Sequence, residues 1–226
     1  MALLETLLAG NREAAVQMVV SWYIDGRSLA DIFDGPMRGS MHRLGELWKH
    51  EERGILIEHR GSAICAEAVA TLRYLLPTVD ERAPLALGGA PQDDPYVLPS
   101  MMAAATLADA GFRDVNFGGQ TPVKLLAHEA VQRNAALVWL SMSVQQDAKQ
   151  MRAAIGGLAR SLKSNDIKLV IGGRFRAEHA PRGEENVHSM SSMSELSGFA
   201  RGIQSRDSGR KTAAGASRDV ARKSAH

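Results

Sequence analysis

The chain holds 226 residues, 45% of them apolar and 23% charged, which suits one large globular domain or two small ones. No apolar run approaches ~18 residues, which excludes a transmembrane helix. The formal charge of +2 is uneven: beyond Ser205 six basic residues face two acidic ones, so the tail carries +4 and the body −2, and such a body offers none of the basic surface that direct nucleic-acid binding requires.

The N-terminus, MALLETLLAG, lacks a basic segment and carries Glu5, so it does not read as a signal peptide and the expected location is the cytoplasm. Residues 2–77 read as helices alone. A short one spans Leu3 to Leu8. Asn11 can cap a second, with Ala14, Ala15, Met18, Val19 and Trp22 along one face and Gly26 at its end. Ser28 caps a brief turn through Ile32 and Phe33. Pro36 then suits the first turn of a longer helix carrying Met37, Met41, Leu44, Leu47 and Trp48, which Gly54 breaks. The next helix runs from about Ile55 to Leu76, with Ile57, Ile64, Cys65, Ala68, Leu72 and Leu75 on its buried side. Cys65 is the only cysteine, which excludes an internal disulfide framework and a CxxC metal knuckle. Four helices with short connections predict a small bundle over residues 1–78.

A polar segment, VDERA, separates the bundle from an alternation of strands and helices. Leu85 to Leu87 is a strand ending in Gly88-Gly89, and the loop that follows holds Asp93, Asp94 and Tyr96. A helix then runs to Gly111, and a second strand reaches Phe117 and closes on Gly118-Gly119. Thr121-Pro122 opens a helix to about Arg133. Leu137 to Leu140 is a buried strand that continues into Ser141-Met142-Ser143, and a helix follows from about Gln145 to Leu162. Lys168 to Ile171 is a strand ending in Gly172-Gly173. A loop from Arg174 to Glu185 leads to a short strand near Val187, and Ser192 with Glu195 forms a capping box for the last helix. This alternation predicts an α/β chain whose second domain, residues 84–204, is a doubly wound parallel sheet. Residues 205–226 lack periodicity and are expected to be disordered.

Two places carry chemistry. Trp48 lies in the last turn before Gly54, while Glu58 and His59 lie just after it, so all three should gather at the tip of a helical hairpin. Spacing alone allows two readings: a tryptophan plugging the hairpin end beside a solvated histidine, or a cluster facing a ligand. The other place is the carboxyl edge of the sheet, where ligands bind in open α/β folds. Three strands end there in Gly-Gly and one in Ser-x-Ser, which suits either tight turns or a broad ligand slot. No GxxxxGK[ST] loop, no GxGxxG opening a helix and no HExxH is present, which removes the common nucleotide and zinc-hydrolase readings.

The order of parts resembles the cobalamin-binding modules of corrinoid methyltransferase proteins and of light- or cobalamin-responsive transcriptional regulators, in which a four-helix cap precedes a flavodoxin-like sheet. The resemblance covers about Leu3 to Gln204. Its most specific element is Trp48-x9-Glu58-His59, which matches the W-x9-EH motif of the regulator branch. It implies that these residues face the upper side of a corrin ring, with His59 as the cobalt ligand on that face. Leu140-Ser141-Met142-Ser143 and Val170-Ile171-Gly172-Gly173 fall where the family lines its nucleotide tail. The family's acidic-x-His-x-x-Gly motif falls on Asp94 to Pro99, where Asp94 keeps the acid but Tyr96 replaces the histidine and Pro99 the glycine. A neutral tyrosine, with a pKa of about 10, is a poor cobalt ligand. The resemblance therefore implies a non-enzymatic sensory or regulatory module that binds cobalamin, with haem or no ligand as alternatives for the cofactor. A ligand-free interaction domain and a methyl-transfer carrier are the competing functions. The regulators often carry a DNA-binding domain ahead of the bundle. Here the bundle begins at residue 3, so action through a protein partner or a homo-oligomer is expected.

Overall fold

The computed structural model describes residues 2–48, 54–181 and 183–205; the side chain of Trp48 and the tail expected to be disordered lie outside them. In the first part, α1 (Ala2–Ala9) and α2 (Arg12–Ile24) meet at Gly10, and Asn11 caps α2 by accepting from the Ala14 amide at 3.1 Å. Ser28 caps α3 (Leu29–Ile32) in the same way, through the Asp31 amide. Pro36 does not open a helix as expected. It sits within a π-helical turn, Phe33–Met37, that joins α3 without a break to α4 (Arg38–Trp48). Proline removes one N–H donor and needs room for its ring, and a widened turn accommodates both.

The long helix α5 (Gly54–Leu75) buries Ile64, Cys65, Ala68 and Leu72 as expected. Leu75 is a correction: it is 46% exposed, and Leu76, one full turn from Leu72, takes the inward place. Sequence spacing cannot separate an i, i+3 from an i, i+4 step at a helix end. Burial pushes the Cys65 thiol up to about 12, so it stays a neutral core group.

Five strands follow: β1 (Leu85–Gly89), β2 (Arg113–Asn116), β3 (Leu137–Ser141), β4 (Lys168–Gly172) and β5 (Val187–Ser189). They form one parallel sheet in the order β2-β1-β3-β4-β5, the flavodoxin order, which reverses direction between β1 and β3. The intervening helices are α6 (Leu98–Asp109), α7 (Val123–Gln132), α8 (Ala148–Lys163) and α9 (Arg176–His179), and α10 spans residues 193–205. α8 starts three residues later than expected because Asp147 caps it, accepting from the Gln150 amide at 2.7 Å. The one-turn α9 lies inside the stretch expected to be loop throughout.

Alternation along the strands assigns the faces. Leu85, Leu87, Val138, Leu140, Leu169 and Ile171 pack against α7 and α8, while Ala86, Leu137, Trp139 and Val170 pack against α6 and α10. Among these elements α6 has apolar residues all round, with nine of its twelve residues buried. A helix of that kind must be covered on every side. The sheet covers one side through Ala103, Ala104 and Leu107, and the bundle covers the other through Leu98, Met102, Ala105 and Ala108. Polar bonds reinforce this joint. The Asp34 carboxylate accepts from the Met193 and Ser194 amides and the Ser194 hydroxyl, capping α10 from the bundle, and Arg38 donates to the Ser191 carbonyl. Arg73 pairs with Asp114 at the other end of α5.

Candidate ligand site

The strand order reverses between β1 and β3, and the loops after those strands lie at the carboxyl edge of the sheet, where open α/β folds bind ligands. Asp94 ties them together. Its side chain is fully buried; Oδ2 accepts from the Ser143 amide at 2.6 Å and the Val144 amide at 3.2 Å, and Oδ1 accepts from the Tyr96 amide at 3.1 Å. Burial raises its pKa above the usual carboxylate value, against the pull of those three amides. The acid retained from the family motif is thus committed to the chain itself. Neighbouring bonds hold the same loop: Gln146 donates to the Gln92 carbonyl, the Val123 amide to the Gln92 side chain, and the Gln120 amide to the Asp94 carbonyl.

Above this loop stands the start of α5. Glu58 is buried there; Oε1 accepts from the Ser62 hydroxyl at 2.9 Å, while Oε2 has no hydrogen-bond partner. His59 is largely exposed, with Nε2 3.8 Å from Glu58 Oε2. Tyr96 lies within electrostatic range of the same carboxylate. Its hydroxyl is pushed above the ordinary value first by burial, then by the charges of Glu58 and Asp94. The structure therefore brings Glu58, His59 and Tyr96 to one place, where the bundle tip meets the sheet edge. Trp48 ends α4, and its side chain lies outside the described residues.

The remaining expected residues lie along the edge below. Ser141 is buried at the end of β3 beside Gly172 of β4, and the Ser143 hydroxyl is buried without a partner. Most of the paired glycines face the protein's own atoms. A Cβ on Gly173, whose φ is +94°, would fall 2.6 Å from the Met142 nitrogen, and one on Gly119 would lie 3.1 Å from the Asp94 carbonyl oxygen. One on Gly89 would meet Gly118 and Thr121, and one on Gly88 would lie 2.6 Å from Cγ of Trp139. At Gly172 the nearest atom would be 3.9 Å away. Close chain-to-chain approach, which neither the tight-turn nor the ligand-slot reading named, accounts for four of the six glycines.

Sequence reading missed the group behind that contact. The Trp139 indole is 1% exposed and donates to the Ser100 hydroxyl at 3.0 Å; Ser100 donates to Asn116 Oδ1, which also accepts from the Gly118 amide. A tryptophan in the buried run LVWLS, one strand away from a glycine pair, was the signal available. Gln92, Gln146 and the buried His179, whose Nε2 lies 3.4 Å from the Gln146 carbonyl, gave no such signal. A cavity of about 410 Å³ lies elsewhere, among Leu3, Trp22, Pro36 and Arg43 of the bundle. Among the described residues no three His, Cys, Asp or Glu side chains cluster as a metal site, and no helix is long and apolar enough to cross a membrane. A tetrapyrrole metal needs only axial ligands from the protein, so the first observation leaves His59 in place as a candidate.

Residues 2–73 match the family described as B12 binding domain. Over 89% of this chain and 96% of the other, the fold is similar to the Methanosarcina barkeri monomethylamine corrinoid protein, at 16% identity and a TM-score of 0.63. A novel cobalamin-binding protein from Desulfitobacterium hafniense aligns over 91% of this chain and 96% of its own, at 17% identity and a TM-score of 0.42. The methanol:cobalamin methyltransferase complex of Methanosarcina barkeri aligns over 89% of this chain and 77% of its own, at 12% identity and a TM-score of 0.45. No curated protein sequence matches the chain. The match over the bundle supports cobalamin as the cofactor.

Proposed function

We propose that this chain is a non-enzymatic sensory or regulatory module that binds cobalamin between the tip of its helical cap and the carboxyl edge of its sheet. Residues 1–78 act as the cap, residues 84–204 as the binding domain, and residues 205–226 as a basic tail. The observation that carries this reading is Glu58, whose buried Oε2 lacks a partner beside an exposed histidine. An orphaned acceptor of this kind costs about 1–3 kcal/mol unless something supplies a donor. The rim of a corrin ring carries carboxamide N–H groups, which fit that need. His59 beside it supplies an imidazole able to ligate cobalt from the cap side. When bound, cobalamin would supply a cobalt centre whose axial ligands exchange with its chemical state.

The chain's own residues set the limits of that chemistry. Tyr96 stays a neutral hydroxyl, because burial and two nearby carboxylates oppose its ionisation. It holds the place where the resemblance has a histidine, and a neutral phenol does not replace imidazole on cobalt. This favours sensing over a methyl-transfer carrier. Output then passes through a protein partner or self-association. Absorption titrations of site variants test the reading. His59→Ala should abolish the spectral change on adding hydroxocobalamin, while Tyr96→Phe should leave it nearly intact. A strong effect of Tyr96→Phe with none from His59→Ala would overturn the assignment.

A further inference from the structure

Resting on that reading, we infer that Trp139 fills the slot for the cofactor's nucleotide tail, so that the chain takes corrinoids by their ring alone and accepts those lacking a nucleotide. The resemblance routes the tail past Ser141, Ser143, Gly172 and the first turn of α6. Trp139 sits two residues before Ser141, on the sheet face that packs against α6. Its indole lies against Gly88 of β1, and its N–H is held by Ser100 in the first turn of α6. Ser100 is itself fully buried and bonded to Asn116 at the end of β2. Ala103 and Ala104 leave room on α6 for the indole, and Ala86 leaves room on β1.

The chemistry of the plug matters as much as its volume. The base of cobalamin is a fused five- and six-membered heteroaromatic, and an indole is the same kind of ring pair. The protein supplies its own bicycle, with its one polar atom hydrogen-bonded, where the ligand would otherwise insert one. Displacing it would break the bond that the buried Ser100 hydroxyl accepts from the indole and leave the indole N–H without its partner, so a tail cannot enter by a simple side-chain swing. Asp94 ties the loop after β1 to the Ser143 and Val144 amides beyond the end of the same strand, β3. Selection therefore falls on the ring and its carboxamides, which meet Glu58 and His59.

The test is a pair of titrations of the full chain, one with hydroxocobalamin and one with diaquocobinamide, which has the ring without the nucleotide. Binding is read by absorbance and by calorimetry. The two dissociation constants are expected to agree within about threefold, and bound cobalamin should not convert to its base-off spectrum. A preference for cobalamin of tenfold or more, or a base-off spectrum, would overturn the inference while leaving corrinoid binding intact. Binding of neither would overturn the corrinoid reading and the inference with it. Trp139→Ala should gain a preference for cobalamin over cobinamide; a folded variant with no such gain would show that Trp139 is not the plug. The wild-type pair decides the matter if that variant does not fold.

Discussion

Asp94 and Glu58 are two buried carboxylates with opposite situations. The first has three backbone donors and the second leaves one oxygen bare. Asp94 thus holds the loops together, and Glu58 is the one that the proposed function gives a ligand to meet. Asp94→Ala would leave the Ser143, Val144 and Tyr96 amides unsatisfied, so a stability loss of about 1–3 kcal/mol is expected by thermal or chemical unfolding. No measurable loss would mean that the loops after β1 and β3 hold without the clamp. Motif matching in the sequence singled out Asp94 but could not tell which atoms it would bind. The bonds to Ser143 and Val144 span about fifty residues of chain, and only the register of the parallel sheet decides them. Trp139 escaped notice for the same reason, since its meaning depends on Gly88 lying beside it across the β1–β3 ladder.

Among the elements, α6 and α10 carry the joint between cap and sheet. The helical spacing of the bundle and the strand–Gly-Gly–helix rhythm after it were legible because both are local periodicities. The Asp34 cap on α10 was not, because it reaches across more than 150 residues. Asp34→Ala should cost about 1–2 kcal/mol and raise amide exchange in the first turn of α10. Unchanged exchange there would show that Ser192, which accepts from the Glu195 amide, suffices alone. The other edge of the same region carries a histidine whose burial predicts a pH-dependent stability. His188 of β5 stacks on Phe199 of α10 at 4.4 Å, and burial first, then Lys168, lowers its pKa. Between that lowered value and the ordinary one of about 6.5 the unfolded chain binds more protons than the folded one. Stability should therefore rise with pH across that window, and His188→Phe should flatten the slope seen in unfolding curves. A slope unchanged by the substitution would place the effect on other groups.

At the scale of the whole molecule, the helical bundle, α6 and the sheet form three packed layers, and the proposed ligand site lies where the first and last meet. Apolar packing of α6 on both sides fixes the distance between the Glu58 tip and the Tyr96 loop. The site is thus a property of the assembly, which explains why the spacing of Trp48, Glu58 and His59 alone left two readings open. The resemblance favours the ligand-facing one, and Glu58 Oε2, which has no hydrogen-bond partner, is the observation that agrees with it. The most direct test is to mix the purified full-length chain with hydroxocobalamin, and separately with haemin, and to remove free ligand by gel filtration. One corrinoid retained per chain, with Kd of about micromolar or below and little haem retained, is the expected result; a chain that emerges free of corrinoid would contradict it.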